Sequence, residues 1–272
     1  MLRTQQVARL IETNTPLKIL SLKRAGEGMH NEAFLVNGSY IFRFAKTEGD
    51  RQKIKKESLL LPVIKPLLSV TIPAPEYVSP DFSFIAHKKL SGTFLTKELY
   101  KASTPTKQRT LLFSLAGFLT ALHKINIEAL NVPEVERTDF EAVYREDFKE
   151  IKQRLMPLLS ADEQTFVESR FRSYFENREN FNYKPVLLHS DFSLDHILLR
   201  TDRQTLNAVI DFGDAAIGDP DYDLFYLYKE MGEAFILDLL GFYRSPNHSL
   251  LLEKLRFFVF VEDLQDRIEA MK

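Results

Sequence analysis

The sequence predicts an α+β protein of two lobes, in which a small antiparallel β-sheet with one helix precedes a larger and mainly helical lobe. The first observation is a change of pattern near residue 90, where strand signals give way to helical periodicity. The second is a set of short apolar runs inside the helical part, with acidic residues and histidines at their ends. These runs are residues 186–188, 197–199 and 208–210.

The N-terminal lobe begins with a predicted β-hairpin. Two runs rich in aromatic and β-branched residues flank Asn37-Gly38, a dipeptide typical of a two-residue primed turn. A helix with apolar positions among lysines follows, and a stretch punctuated by prolines then leads into a short apolar strand. The expected elements are strands at 33–36 and 40–44, a helix at 50–64 and a strand at 82–86.

The C-terminal lobe is expected to contain five longer helices around the short strands. Leucines recur at helical spacing in the first of them, and Thr104-Pro105 just before it is a typical helix start. The predicted helices are residues 105–125, 137–158, 162–176, 221–241 and 249–270. The expected division of the chain is an N-terminal nucleotide-binding lobe at 1–86, a hinge at 87–92 and a C-terminal lobe at 93–272.

Composition excludes several classes of protein. The chain has 272 residues, of which 44% are hydrophobic and 27% charged, as in an ordinary folded protein with a sizeable core. Its 36 basic and 38 acidic residues leave no basic excess with which to hold nucleic acid. The absence of cysteine excludes disulfides, thiolate zinc sites and cysteine nucleophiles.

The sequence shows no sign of export or of a membrane span. Its longest nearly apolar segment, residues 111–122, is interrupted by Ser114 and Thr120 and is too short to cross a bilayer. The first residues lack the apolar stretch of a signal peptide. We therefore expect a cytoplasmic protein without a nucleic-acid or membrane partner, and we expect it to be a monomer.

The residues that indicate a reaction lie around the short strands. His189-Ser190-Asp191 is followed five residues later by His196, and Asp211-Phe212-Gly213 comes after a predicted strand pair. Phosphoryl transfer needs a carboxylate that orients the acceptor hydroxyl and polar ligands for the metal ions on the phosphates. The order of these residues matches the protein-kinase pattern H-R-D-x-x-x-x-N followed by D-F-G, with His196 in place of the asparagine.

These motifs resemble those of the aminoglycoside phosphotransferases, the small-molecule branch of the protein-kinase-like fold. The run 211–221 is most similar to that of the 2″-phosphotransferase subgroup, which also tends to carry histidine at the position of His196. The resemblance covers about residues 20–240 and implies a protein-kinase-like two-lobe fold. It further implies an enzyme that moves the γ-phosphate of ATP or GTP to a hydroxyl group of a small molecule with Mg²⁺.

The resemblance also implies roles for four residues of the motifs. Asp191 matches the catalytic base, and His189 matches the residue that braces its loop. His196 and Asp211 match the metal ligands. Because Mg²⁺ prefers oxygen ligands, the imidazole leaves three alternatives, which are direct binding, good tolerance of Mn²⁺, or contact through a water.

The implied nucleotide site draws on the N-terminal lobe and the hinge. The glycines precede the hairpin, the arginine stands where protein kinases have a phosphate-binding lysine, and the glutamate on the next helix is its candidate partner. The base would contact backbone near 87–90, behind a bulky gate residue. The expected nucleotide-binding residues are Gly26, Gly28, Arg43, Glu57, Phe84, Lys88 and Leu90.

Alternatives remain open for Arg43 and Glu57. Lys46 could serve as the phosphate-binding base instead of Arg43, since the two lie three residues apart and so on opposite faces of the strand. In a two-residue hairpin Glu32 would face Arg43, which makes a plain cross-strand ion pair available. Lys53 precedes Glu57 by four residues and offers it an ordinary helix pair.

Acidic residues near the mouth of the C-terminal lobe favour a cationic acceptor such as an amino sugar. They are Asp195, Asp214, Glu230 and Glu233. Resemblance of fold does not fix the substrate. The alternatives are a kinase of another small hydroxyl metabolite, choline-like or sugar-like, and a kinase-like protein that binds nucleotide without transferring phosphate.

Overall fold

The computed structural model describes residues 4–202, 205–243 and 248–271. One five-stranded sheet lies in the N-terminal part, and two small sheets lie among the helices of the C-terminal part. The helices of the described residues are α1 (Thr4–Asn14), α2 (Glu48–Ile64), α3 (Lys97–Lys101), α4 (Pro105–His123), α5 (Phe140–Arg154), α6 (Ala161–Glu176), α7 (Phe225–Met231), α8 (Glu233–Leu240) and α9 (His248–Glu269). The strands are β1 (Leu22–Glu27), β2 (Asn31–Val36), β3 (Tyr40–Ala45), β4 (Pro75–Val78), β5 (Phe84–Lys88), β6 (Thr93–Phe94), β7 (Val186–Leu188), β8 (Ile197–Leu199), β9 (Leu206–Val209) and β10 (Ala216–Gly218).

The N-terminal sheet is antiparallel throughout, in the order β1-β2-β3-β5-β4. Asn37 and Gly38 both have positive φ, as a primed turn requires, and this confirms the predicted hairpin. Its loop is one residue longer than expected, because Val36 lies opposite Tyr40.

The longer loop changes the register of the hairpin. Ala33 therefore lies opposite Arg43, and the expected pairing of Glu32 with Arg43 is wrong. Glu32 pairs instead with Arg24 on the neighbouring strand, at 2.7 Å between Oε2 and Nη2. Arg43 is thus left available for partners on the other side of the sheet.

The two faces of this sheet contact different parts of the molecule. Phe42 and Phe44 of β3 pack with Phe84 of β5 on the face that α1 covers through Val7 and Ile11. The intervening β3 residues point to the opposite face because side chains alternate along a strand. That opposite face turns toward the C-terminal lobe and carries the arginine of the expected nucleotide site.

Helix α2 belongs to both lobes. It begins at a capping box in which Thr47 and Asp50 satisfy each other's backbone N–H groups. Its last turns are buried in the C-terminal core through Leu60, Leu61 and Ile64. The chain then runs beside β9 before it returns to the N-terminal sheet, with Thr71 N donating to the Asn207 carbonyl at 3.2 Å.

The chain passes from the first sheet to the C-terminal sheets between Lys88 and Thr93, within the stretch where we expect a hinge. Gly92 has φ 141°, and a Cβ there would lie 2.6 Å from the carbonyl oxygen of Leu199. Only glycine fits this position without displacing the backbone of β8. The division into an N-terminal lobe, hinge and C-terminal lobe itself stays a prediction.

The predicted helices of the C-terminal lobe are present, with two differences. The segment expected at 137–158 begins at Phe140 and ends in a separate 3₁₀ turn, Met156–Leu158. The segment expected at 221–241 begins as a 3₁₀ turn, Pro220–Leu224, and its α-helical part is divided into α7 and α8 by Gly232, whose φ of 89° breaks the helix. Among the described residues, no helix is both long and apolar enough to cross a membrane.

Candidate active site

A cleft of about 1240 Å³ lies between the N-terminal sheet and the C-terminal loops. Two segments border the cleft: the glycine loop of the N-terminal sheet, residues 26–31 from the end of β1 to the start of β2, and the catalytic loop, residues 189–196 between β7 and β8. The cleft gathers most of the residues selected from the sequence. Those that line it are Gly26, Gly28, Arg43, Glu57, Leu90, Asp191, Asp195, His196, Asp211 and Asp214.

His189 braces the catalytic loop through hydrogen bonds of its buried imidazole ring. Its Nε2–H donates to the Ile210 carbonyl at 3.0 Å, and its Nδ1 accepts from the Asp191 N–H at 3.3 Å. Both contacts are satisfied by one neutral tautomer. Burial lowers the pKa of His189 to about 4, so the ring stays neutral at ordinary pH. The bracing role that the resemblance implies for His189 is therefore supported by its geometry.

The side chain of Asp223 holds the backbone of the catalytic loop in place. Its carboxylate accepts from the N–H groups of His189 and Ser190, at 3.0 and 2.7 Å. His123 at the end of α4 contacts the same carboxylate through Nε2 at 2.9 Å and the Tyr243 hydroxyl through Nδ1 at 2.8 Å. This buried chain fixes Ser190 at a positive φ of 67°. Sequence reasoning gave His123 and Tyr243 no role.

Asp191 presents its carboxylate to the cleft. The side chain is 30% exposed, and burial raises its pKa above the ordinary value. A more basic carboxylate within a cleft suits a group that accepts a proton from a hydroxyl. Its position agrees with the catalytic role that the resemblance implies.

His196 and Asp211 face one small space beside Asp191. His196 Nδ1 donates to the Asp191 carbonyl at 2.8 Å, which leaves the Nε2 lone pair directed at Asp211, 3.7 Å from Oδ2. An imidazole nitrogen and a carboxylate oxygen at this separation fit one divalent ion. Among the described residues, no group of three acidic or histidine side chains converges on a metal site. An ion here would therefore take its remaining ligands from phosphates and water, as Mg²⁺ usually does.

Arg43 joins the two lobes at this point. Its guanidinium contacts Glu57 of α2 and donates to Asp211 Oδ1 at 2.7 Å. Burial alone would raise the pKa of Asp211, but the charge of Arg43 and its hydrogen bond to this carboxylate outweigh burial and hold that pKa well below its usual range. Burial raises the pKa of Glu57, and Arg43 offsets this only in part. The expected Arg43–Glu57 pair is present.

The lysine alternatives have other partners. Lys46 Nζ donates to the Gly28 carbonyl at 2.7 Å and pairs with Glu27 at 3.0 Å, so it holds the glycine loop and does not line the cleft. Lys53 Nζ lies 2.7 Å from Asp214 Oδ1, so Lys53 pairs with Asp214, while the ion-pair partner of Glu57 is Arg43. Of the two candidate phosphate-binding bases, the cleft contains Arg43.

Two of the expected nucleotide contacts lie outside the cleft. Phe84 belongs to the aromatic face of the sheet, because it lies directly opposite Phe44 and shares that residue's side. It is fully buried there and cannot serve as the gate residue. The Lys88 side chain extends into solvent and pairs weakly with Glu76 at 3.5 Å.

Two of the expected acceptor contacts lie outside the cleft as well. Glu230 accepts from the Leu194 N–H at 2.9 Å and so supports the catalytic loop. Glu233 pairs with Arg256 on α9 at 2.8 Å. Asp195 and Asp214 are the members of the expected acidic group that line the cleft.

Several cleft residues were missed by the sequence reasoning. They combine a lysine from α2 with aromatic and apolar side chains from α5, from the turn before α7 and from α7 itself. They are Lys53, Phe140, Val143, Tyr222 and Tyr226. Lys53 had a usable signal, since it lies one turn before Glu57 on the same helix face. The aromatic residues were indistinguishable from core residues by pattern.

Comparisons with known proteins agree with this geometry. The model of the phosphotransferase enzyme family matches residues 21–258. An aminoglycoside 2″-phosphotransferase of type IIIa, solved with GDP and kanamycin, is 31% identical with a TM-score of 0.92, over 97% of this chain and 91% of that chain. The type IIa enzyme solved with streptomycin and ATP is 26% identical with a TM-score of 0.83, over 97% and 91% of the two chains.

A more distant match shows the fold alone. The macrolide 2′-phosphotransferase MphH from Brachybacterium faecium is 18% identical with a TM-score of 0.77, over 98% of this chain and 92% of that chain. Together with the site geometry, these findings confirm the kinase-like fold and the resemblance read from the motifs. The chain belongs to the phosphotransferase enzyme family, its structure is similar to those of the aminoglycoside 2″-phosphotransferases, and it is a phosphotransferase with an alcohol group as acceptor.

Proposed function

We propose that the protein transfers the γ-phosphate of ATP or GTP to a hydroxyl group of a small cationic molecule such as an aminoglycoside. The observation that carries the proposal is the convergence of Asp191, His196 and Asp211 on one cleft that also contains Arg43. Asp191 would hold the acceptor, and the other three would hold the phosphates and their metal ion. A bound Mg²⁺, or Mn²⁺ as an alternative, would neutralise phosphate charge, and His196 and Asp211 are the residues placed to hold it.

The proposed transfer moves one proton and one phosphoryl group. The acceptor hydroxyl gives its proton to the Asp191 carboxylate while its oxygen forms a bond to the γ-phosphorus. The bond between that phosphorus and the oxygen bridging to the β-phosphate breaks, and the nucleoside diphosphate leaves with the electron pair. Arg43 stabilises the charge on the phosphates, and His189 holds the Asp191 backbone in place.

The acceptor class rests on the chemistry of the cleft. Asp195 and Asp214 supply negative charge, and Phe140, Tyr222 and Tyr226 supply ring faces. Amino sugars carry ammonium groups on a ring skeleton whose C–H faces pack against aromatic rings, so both features suit them. Kanamycin and streptomycin are bound by the two similar enzymes described above, and this supports the same class for this chain.

The proposal includes both ATP and GTP as the phosphate donor. Those two structures contain GDP in one case and ATP in the other. Lys89 and Leu90 line the cleft, where their backbone groups would meet a purine edge. Backbone groups accept a range of purine edges, so they do not by themselves separate adenine from guanine.

A transfer assay tests the proposal. Purified protein is incubated with Mg²⁺, with ATP or GTP and with kanamycin, and the product is identified by mass spectrometry as a phosphate ester. Asp191→Asn serves as the inactive control. Transfer only to neutral sugars or to choline would move the protein to the alternative acceptor class. Nucleotide binding without transfer to any alcohol would contradict the enzymatic proposal.

A further inference from the structure

Lys53 adds a positive charge to the cleft beside an acidic residue of the proposed acceptor site. It projects from α2, and its Nζ lies 2.7 Å from Asp214 Oδ1. Both side chains line the cleft, with Lys53 28% exposed and Asp214 39% exposed. The pair therefore lies where an acceptor would enter, and both side chains are partly exposed to solvent.

A lysine ammonium is chemically the same group as the amine of an amino sugar. The Asp214 carboxylate can accept hydrogen bonds from several donors. Its Oδ1, however, already contacts the Lys53 ammonium, which is the same kind of charged donor that a cationic acceptor would supply. An acceptor amine that takes this position must displace Lys53 first. The observed contact is therefore an intramolecular competitor for the acceptor.

We propose that Lys53 is a specificity-determining residue that occupies Asp214 until the acceptor ammonium replaces it. The inference rests on the proposed function, because it assumes a cationic acceptor. The contact lowers the affinity for every ligand that needs Asp214 and leaves ligands without an amine unaffected. Lys53 thus selects acceptors that place an ammonium group at Asp214.

The stem of Lys53 lies beside the loop that carries Asp211. A Cβ placed on Gly213 would lie 3.5 Å from the Lys53 Cβ and 3.5 Å from Asp211 Oδ1. The aliphatic stem of Lys53 therefore already passes close to the metal-binding loop. The flexible four-carbon stem lets the ammonium leave Asp214 without a movement of the helix.

Binding measurements with matched variants test the inference. Kanamycin is titrated into wild type, Lys53→Gln and Lys56→Gln by calorimetry. The control is well matched, because Lys56 lies on the same helix and donates to the Ala215 carbonyl at 2.9 Å but does not line the cleft. We expect Lys53→Gln to bind kanamycin with a Kd lower by about threefold to tenfold, the scale of a partly exposed ion pair.

Three further comparisons separate competition from a general charge effect. In an Asp214→Asn background, Lys53→Gln is expected to leave the Kd for kanamycin unchanged. Lys53→Arg keeps a charged partner for Asp214 and is expected to bind kanamycin as wild type does. Kanamycin with its amines acetylated is expected to bind wild type and Lys53→Gln equally. Thermal unfolding curves confirm that each variant is folded.

Two results would overturn the inference in different ways. If kanamycin binds wild type and Lys53→Gln with the same Kd, or binds Lys56→Gln as tightly as Lys53→Gln, Lys53 is not a competitor for the acceptor. The proposed function survives that result. If kanamycin binds none of these proteins, the cationic acceptor class is wrong, and the inference falls with it.

Discussion

Arg43 and Asp211 are 168 positions apart in the chain, yet their side chains meet across the cleft at 2.7 Å between Nη1 and Oδ1. The contact joins β3 of the N-terminal sheet to the loop that follows β9. Asp211 is also the carboxylate proposed to hold a metal ion. Arg43 therefore compensates the negative charge of Asp211, and a nucleotide with its metal ion would have to share or rearrange this contact.

The first prediction concerns this arginine. Arg43→Ala is expected to weaken the binding of ATP with Mg²⁺ by about tenfold or more, because a charge-assisted contact to the phosphates is lost. Lys46→Ala is expected to change the Kd much less, since Lys46 holds the glycine loop from outside the cleft. Titration of each variant with nucleotide measures both effects. Equal Kd values for wild type and both variants would show that Arg43 does not bind the nucleotide phosphates.

The second prediction separates the two central aspartates. Asp191→Asn is expected to lower kcat by about 10²–10⁴, the usual contribution of a general base, while nucleotide affinity stays close to that of wild type. Asp211→Asn is expected to abolish the dependence of nucleotide affinity on Mg²⁺ as well as turnover. Nucleotide titrations with and without Mg²⁺ decide the assignment. The reverse pattern would show that the two roles are exchanged.

The third prediction concerns stability and pH. His189 titrates near 4 in the folded protein, below the value of about 6.5 for an unfolded chain, so the unfolded state binds more protons between these values. The resulting stabilisation is complete above about pH 6.5 and is lost as the pH falls toward 4. In His189→Gln, the difference in the free energy of unfolding between about pH 7 and pH 5 is expected to shrink by about 2 kcal/mol. Urea unfolding of both proteins measures it, and an identical pH dependence would contradict the burial argument.

The fourth prediction concerns a buried lysine on α9. Lys254 is 3% exposed and contacts both Asp219 and Asp221, with 2.6 Å between Nζ and Asp221 Oδ2. Lys254→Met leaves two buried carboxylates without their cation and is expected to destabilise the protein by about 3–5 kcal/mol. Arg256→Gln removes an exposed ion pair from the same helix and is expected to change stability by less than about 1 kcal/mol. Urea unfolding compares the two, and similar losses would contradict the distinction.

The fifth prediction contrasts two glycines. Gly92→Ala is expected to destabilise the protein, because its backbone conformation is left-handed and the new Cβ meets a carbonyl oxygen. At Gly26 a Cβ would have no atom of the protein within 4 Å, so Gly26→Ala is expected to leave the melting temperature nearly unchanged. If nucleotide phosphates approach the glycine loop closely, the same variant loses nucleotide affinity. Unchanged melting for Gly92→Ala would show that β8 yields to the methyl group.

The residues that the sequence predicted well are those whose signal is local. Asp191 and Asp211 each follow a short apolar run, and such a layout indicates loops at the ends of buried strands. Both carboxylates do line the cleft. Arg43 and Glu57 were expected as partners because the resemblance implies such a pair between a strand and the next helix, and that order survives the one-residue error in the hairpin.

The residues that were misplaced or missed depend on register or on distant partners. The side of the sheet on which Phe84 lies follows from its pairing with Phe44, and the sequence does not contain that register. Glu230 is separated by 36 positions from the backbone N–H that it binds. His123 is 100 positions from Asp223, so no short motif marks the contact that supports the catalytic loop.

The path of α2 has a consequence for the cost of binding. The backbone crosses between the lobes three times: along α2, on its return through Pro73 and Pro75, and again at 89–92. Because the lobes are joined by three backbone segments, they have little freedom to rotate relative to each other. A small rotation of one lobe about one axis is the favoured movement. A nucleotide entering such a cleft orders few degrees of freedom, so less of its contact energy is lost to conformational entropy. The crossings thus act as pre-organisation, and on this ground we expect the entropy of nucleotide binding to be less unfavourable than for lobes joined by a single flexible linker.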